Sequence, residues 1–288
     1  MDRSNSTITL AEAAALLGVH YMTAYRYVRT GRLPAHKVGQ EWRVERSEVD
    51  ELLAAGRVGA EHEAVGRGRR RDRTEPLVER LTRSDEAGAW AIVDDAVHGG
   101  MEPERVYLDL LVPALALVGD RWASGDIDVG QEHQASALVL RLVGRLGPRF
   151  ARRGRKRGTV VVGAAPGDAH GLPSALLGDL LRGRRFAVVD LGGDVPIESW
   201  RSAAATTGLV AIGMCASTPG NDAAVRDAIA EVRAVTAAPL VLGGIGIDDE
   251  HHAHRLGASA YSDSFSSALE LLDSPGAAVA GEPRRPAS

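Results

Sequence analysis

The stretch VVVGAAPGDAHGLPSALLGDLLRGRRFAVVDLG, residues 160–192, decides the fold. A β-branched run ends at Gly163, a loop carrying Asp168 and His170 follows, and residues 172–183 show helical apolar spacing before a second apolar run begins. Strand, loop, helix and strand in that order form a βαβ unit, which implies parallel pairing through a right-handed crossover. The same grammar continues downstream. It predicts strands over 159–163, 186–190, 209–213, 239–242 and 258–261, with helices near 172–183, 197–207, 221–235, 248–256 and 264–272. The expectation is a flavodoxin-like (Rossmann-like) parallel α/β domain over residues 159–273. Such sheets bind ligands at the carboxyl ends of their strands, so the loops to examine are 164–171, 191–196, 214–220, 243–247 and 262–264.

Those loops carry an unusual chemistry. Asp168 lies two residues before His170, near enough to orient the imidazole through one ring nitrogen while the other faces a ligand. Small residues crowd the other strand ends: LGGD at 191–194, MCAS at 214–217 and LGGIG at 242–246. Glycines there would let the backbone approach a large ligand. No Walker sequence is present and no G-x-G-x-x-G opens the first helix, which disfavours nucleotide phosphates. The only lysines, Lys37 and Lys156, lie outside these loops, which excludes receiver-type phosphoryl chemistry.

Outward from this domain, 288 residues suffice for more than one core. A net charge of −4 says little about partners, whereas its distribution does: cations crowd residues 26–46, 67–73 and 149–157. One cysteine, Cys215, rules out an intramolecular disulfide and fits a reducing compartment. No apolar run reaches membrane length and no signal-like start appears, so a cytoplasmic location without membrane contact is expected. Residues 75–150 carry apolar residues at helical spacing and predict a bundle of about four helices. Residues 56–74 read as a flexible basic linker and 274–288 as a disordered tail.

Residues 1–55 form a separate unit. Thr9 with Glu12 makes a capping-box start, and Ala13, Ala14, Leu16 and Leu17 give the helix a buried face. A second helix is expected from His20 to about Arg29. Its inner side would be Met22, Tyr25 and Val28, with Ala24 and Tyr27 nearer to solvent. Gly31 ends that helix, a hairpin turns at Gly39-Gln40, and a further helix starts near Ser47. A helix–turn–helix with a basic wing presents one helix to the major groove and a hairpin to the phosphates. The candidate DNA contacts are therefore His20, Tyr21, Thr23, Arg26, Tyr27, Arg29, His36, Lys37 and Arg43.

The segment AYRYVRTGRLPAHKVGQEWRV resembles the excisionase and MerR-like winged helix–turn–helix class. Residues 159–273 resemble the cobalamin-binding module, whose pattern D-x-H-x-x-G, S-x-L and G-G is met by Asp168 and His170, by the CAS segment 215–217, and by Gly243-Gly244. Within DRWASGDIDVGQEHQAS, residues 120–136, Trp122, Glu132 and His133 are similar to the W-x9-E-H signature of the helical caps that precede such modules in MerR-type regulators. The resemblance implies that His170 is the lower cobalt ligand and Asp168 its hydrogen-bonded partner, with either Cys215 or Ser217 behind the acid. Gly171, Leu172, Gly243 and Gly244 are further cofactor positions, and Trp122, Glu132 and His133 would meet the upper face of the corrin. Three departures stand out: Pro173 at a family glycine, Cys215 at a family serine, and Ala123 where light-sensing members often carry a histidine.

The function so implied is a non-enzymatic, cobalamin-dependent transcriptional regulator. Its partners would be operator DNA and adenosylcobalamin, with methylcobalamin or hydroxocobalamin as other forms. It would act as a homo-oligomer, dimer or tetramer, and light could cleave the Co–C bond. Two alternatives stay open: a corrinoid carrier subunit of a methyltransferase or mutase, and a regulator whose cobalamin domain has degenerated.

Overall fold

The computed structural model describes residues 7–17, 19, 24–25, 27–28, 31–38, 41–54 and 73–273. These group into two compact units. One comprises residues up to Gly100 together with Asp109–Val139, and the other comprises Met101–Leu108 and everything from Leu140 onward.

In the first unit, strand β1 (Thr7–Thr9) leads into helix α1 (Leu10–Leu17), followed by β2 (Ala35–Val38), β3 (Glu41–Glu45) and helix α2 (Arg46–Ala54). The strands form an antiparallel sheet in the order β1-β3-β2. The capping box is present and reciprocal: the Thr9 N–H donates to Glu12 at 2.8 Å and the Glu12 N–H to the Thr9 hydroxyl at 3.1 Å. Gly31, at φ +72°, supplies the left-handed residue that ends a helix. The core gathers Leu10, Ala13, Ala14, Leu17, Ala24, Tyr27, Leu33, Val44, Val49 and Leu52.

Two expectations are corrected there. Leu16 is 39% exposed and Leu10 takes its place, because positions 10, 13, 14 and 17 form one helical stripe. Ala24 and Tyr27, expected near solvent, are core residues, Tyr27 being 5% exposed with the Arg32 guanidinium 4.3 Å above its ring. Three residues apart, they share a helical face turned into the core that Leu10, Leu33 and Val44 also build. Tyr27 thus presents almost none of its side chain at the surface of the head.

The same unit holds helices α3 (Thr74–Thr82) and α4 (Glu86–His98), joined through Asp85, whose carboxylate accepts from the Gly88 N–H at 2.8 Å. Helix α5 (Pro103–Val106) passes through a π-turn, Tyr107–Leu111, into α6 (Val112–Ser124), and α7 (Val129–Leu146) follows. Gly125 at φ +82° stops α6, and a second reciprocal capping box, Asp128 with Gln131, starts α7.

The second unit is built on strands β4 (Thr159–Ala164), β5 (Ala187–Asp190), β6 (Leu209–Cys215), β7 (Leu240–Gly243) and β8 (Ala260–Ser262). They alternate with helices α8 (Leu172–Gly183), α9 (Ile197–Ala204), α10 (Asp222–Arg233), α11 (Glu250–Arg255) and α12 (Phe265–Asp273). All pairings are parallel and the order is β5-β4-β6-β7-β8, the flavodoxin-like arrangement. The interior strand β4 is buried from Val160 to Ala164, as a strand covered on both faces must be. From β4 the chain goes out to β5 and then returns to β6 on the other side. The topological switch point therefore lies between β4 and β6.

Tyr107 and Phe150 join this unit. The Tyr107 hydroxyl donates to the buried Asp179 of α8 at 2.8 Å, and its ring packs at a tilt of 48° against Phe150, with the centroids 4.6 Å apart. Burial and the Asp179 carboxylate push that phenol far above its usual range, so it stays a donor.

Candidate functional site at the β4/β6 switch point

The loop after β4 places Asp168 and His170 where the strand order reverses, the position at which open parallel sheets bind ligands. Asp168 is fully buried. One carboxylate oxygen accepts from His170 Nδ1 at 2.6 Å, from the His170 N–H at 3.2 Å and from the Thr218 hydroxyl at 3.4 Å. The other accepts from the Ser217 backbone N–H. Burial pushes the carboxyl up, but the bonds from His170 and Ser217 outweigh it and hold the group below the ordinary carboxylate value. An ionised Asp168 is an acceptor only, so Nδ1 carries the proton facing it, and in the neutral ring the lone pair belongs to Nε2. The imidazole itself is 63% exposed.

Neighbouring loops fix this one in place. The Gly167 N–H donates to Asp194 at 2.7 Å, the Asp194 N–H returns to the Asp168 carbonyl at 2.6 Å, and the Asn221 amide donates to the Pro166 carbonyl. Asp194 takes the left-handed conformation at φ 47°, which aspartate tolerates better than most residues. Gly171 lies against Gly193: a Cβ on Gly171 would stand 2.9 Å from the Gly193 nitrogen, and one on Gly193 would stand 2.6 Å from the Ala169 carbonyl oxygen. Pro173 occupies the first turn of α8, where its missing N–H costs nothing, and Leu172 opens the helix.

Of the two residues considered as Asp168's partner beyond His170, Ser217 reaches it, through its main chain. The Cys215 thiol instead lies 3.2 Å from the Ser217 hydroxyl. Burial raises the Cys215 thiol to about 11, with the charge of Asp168 adding to the effect against the Ser217 hydrogen bond. Thr218, Asp194 and Asn221 went unnoticed in the sequence. Their only signal was the turn-forming STPGN and GGDVP context, which marks a loop without naming its partners.

The strand-end glycines are required by the packing of the protein itself. A Cβ at Gly243 would meet the Ser262 carbonyl at 2.7 Å, and one at Gly244, φ +111°, would meet the Ala216 carbonyl at 2.5 Å. They let backbone segments of the protein approach each other. Ile245 beside them is exposed.

In the other unit, Trp122 lies on the last turns of α6 and is 49% exposed, so it is not a core residue. Glu132 and His133 open α7 after the short connection that Gly125 and Asp128 shape. Glu132 is half-buried and accepts from the Ser136 hydroxyl at 2.8 Å, while His133 is exposed. On the wing, His36 pairs across from Arg43 and Lys37 from Trp42, with the ammonium 5.3 Å from the indole ring. His20, Tyr21, Thr23, Arg26 and Arg29, the 39–40 turn, residues 56–72 of the expected linker and the tail 274–288 lie outside the described residues.

A corrinoid requires one protein donor to a metal already held by its macrocycle. The site offers that: a single exposed imidazole, oriented by a buried anion. Among the described residues no group of three or more His, Cys, Asp and Glu side chains is arranged to hold a bare metal ion. The residues present fit the macrocyclic group.

Residues 7–57 match the helix-turn-helix domain family and residues 74–146 match the B12 binding domain family. The chain is 36% identical over 162 residues to the HTH-type transcriptional repressor CarH of Myxococcus xanthus, covering 53% of this chain and 52% of that protein. It thus spans about half the length of that repressor. It is 24% identical over 203 residues to trimethylamine corrinoid protein 2 of Methanosarcina acetivorans, covering 67% of this chain and 91% of that one. In fold it is similar to the monomethylamine corrinoid protein of Methanosarcina barkeri, with a TM-score of 0.59 at 19% identity over 68% of this chain and 94% of that one. The chain therefore joins a helix-turn-helix domain to a B12 binding domain. Among the described residues, no helix is long and apolar enough to cross a membrane.

Proposed function

We propose that this chain is a transcriptional regulator whose winged head binds operator DNA and whose α/β domain binds adenosylcobalamin through His170. The observation that carries the reading is the Asp168–His170 pair at the β4/β6 switch point, in a chain that also holds a helix-turn-helix domain. Asp168 keeps the Nδ1 proton, so His170 presents Nε2 to cobalt from a ring that cannot turn away without breaking a 2.6 Å charge-assisted bond. Cys215 stays protonated behind Ser217 and competes neither for the metal nor for the proton. Trp122, Glu132 and His133 are assigned to the same ligand by the spacing that their segment shares with related caps. When bound, adenosylcobalamin supplies a Co–C bond that light cleaves. Domain limits of 1–55, 75–150 and 159–273 belong to this proposal, as does a cytoplasmic homo-oligomer, dimer or tetramer.

Regulation requires that the ligand bind two assembly states with different affinity. The test is a visible spectrum of the full chain after incubation with adenosylcobalamin in the dark and removal of free ligand, then after illumination. DNA affinity is measured in both states. Retained corrin bands, a lower-ligand signature lost in His170→Ala and a light-dependent affinity are expected. No retained corrin refutes the cofactor assignment. Retention with equal DNA affinity in dark and light refutes the switch and leaves vitamin abundance as the signal. A carrier subunit is favoured by the extent of the match to a corrinoid protein, but a methyl carrier has no use for the winged head.

A further inference from the structure

A second charged surface lies at the amino-terminal end of the strands, the end opposite the one that carries His170. Residues 149–157, RFARRGRKR, carry six cations and no acid, in a chain of net charge −4. From Ala151 to Gly158 they form no helix or strand, and Arg152, Arg153, Arg155 and Lys156 are exposed. The loop is stitched to the start of edge strand β5. The Arg157 N–H donates to the Arg185 carbonyl at 3.0 Å and the Ala187 N–H to the Gly158 carbonyl at 2.9 Å. Arg185, exposed and at φ 68°, is thereby brought into the same patch.

Acids nearby neutralise only part of this charge. Arg157 pairs with Asp273, Arg182 with Asp179 and Arg184 with Glu104. Among the described residues, Arg149, Arg152, Arg153, Arg155, Lys156 and Arg185 have no carboxylate partner. Six like charges on two adjoining segments repel one another, and an array of phosphates relieves that repulsion.

We infer that the patch formed by residues 149–157 and Arg185 binds the phosphate backbone of duplex DNA. This rests on the reading of the chain as a DNA-binding regulator. The contact is independent of base sequence and adds affinity to a winged head whose own interface is small. It also gives the α/β domain, at the end of its strands opposite His170, a direct hold on the nucleic acid.

The experiment uses the full chain, a variant carrying Arg152→Gln, Arg153→Gln, Arg155→Gln and Arg185→Gln, and a wing variant carrying Lys37→Gln and Arg43→Gln. Fluorescence anisotropy on a long random-sequence duplex follows affinity between about 50 and 200 mM salt. If the patch makes about three phosphate contacts, the wild type loses about 40-fold more affinity across that range than the four-substitution variant. All four side chains are on the surface, so an unchanged thermal transition verifies the fold. Superimposable salt dependences for wild type and patch variant overturn the inference. So does a patch that retains the chain on anionic vesicles without any effect on DNA. A wing variant that binds as the wild type does, beside a patch variant that does not, refutes the reading of the head and upholds the patch. Absence of DNA binding by the wild type refutes both.

Discussion

Replacing Asp168 with Asn tests the architecture of the site more sharply than replacing the histidine. The carboxylate is fully buried and accepts hydrogen bonds on both oxygens: His170 Nδ1, the His170 N–H and the Thr218 hydroxyl on one, the Ser217 N–H on the other. An amide has one acceptor oxygen. Whichever way it is turned, its NH2 group faces a donor, either the Ser217 N–H or the His170 side. One charge-assisted bond is lost and a buried donor is left unmatched, at a cost of about 2–3 kcal/mol. For a unit of this size that corresponds to a fall in Tm of roughly 5–9 °C by calorimetry on the ligand-free chain at neutral pH. His170→Ala should behave differently. It removes a side chain that is 63% exposed and leaves the Ser217 and Thr218 bonds in place, so its stability should stay within about 1 kcal/mol of the wild type. Corrinoid titration should reverse the order of severity. If His170 holds the cobalt as proposed, His170→Ala should abolish that contact outright, whereas Asp168→Asn should weaken binding about 10- to 100-fold by releasing the ring. An Asp168→Asn chain as stable as the wild type, or one more stable than His170→Ala, would refute the reasoning.

The pH dependence follows from the same carboxylate. Its folded value lies below the ordinary 3.8, so its contribution is fully present above that value and is lost as pH falls through the lower folded one; Asp168→Asn should flatten that acid limb. Tyr107→Phe removes a 2.8 Å donor from buried Asp179, leaving Arg182, also at 2.8 Å, as its partner. A loss of about 1–2 kcal/mol in urea unfolding is expected, with the corrin spectrum unchanged. Gly244→Ala forces a side chain into φ +111° and 2.5 Å from the Ala216 carbonyl oxygen. It should destabilise by about 2–4 kcal/mol, and a neutral result would mean that the loop relaxes freely. The Cys215 thiol, raised to about 11, should react with thiol reagents far more slowly than a free cysteine at neutral pH, the rate climbing only in strong alkali.

The elements of the α/β domain were legible because each has one dominant local signal. Helix 172–183 is found where the apolar spacing places it, and all five strands begin and end within two residues of the bounds expected from the sequence. Thr9–Glu12 was equally readable, since a capping box is complete within four residues. The phase of the head's helices was not. Leu16 and Tyr27 look like core and surface residues respectively by type, but the core that one face of each helix joins is drawn from other parts of the chain.

By itself the sequence determined the βαβ order, the helix-turn-helix grammar and the placing of an acid two residues from an imidazole, because strand and helix periodicity and i, i+2 spacing are local properties. Only the tertiary structure decided what stands behind that acid. Ser217 offers its main chain from 49 residues away, Thr218 its hydroxyl, and Asp194 and Asn221 tie down the loop from β5 and β6. A backbone N–H is the same in every residue but proline, so no residue type announces that bond. The strand-end glycines make the same point. Their identity is plain in the sequence, but that they make room for the carbonyls of Ala216 and Ser262 emerges only when parallel strands bring those loops together.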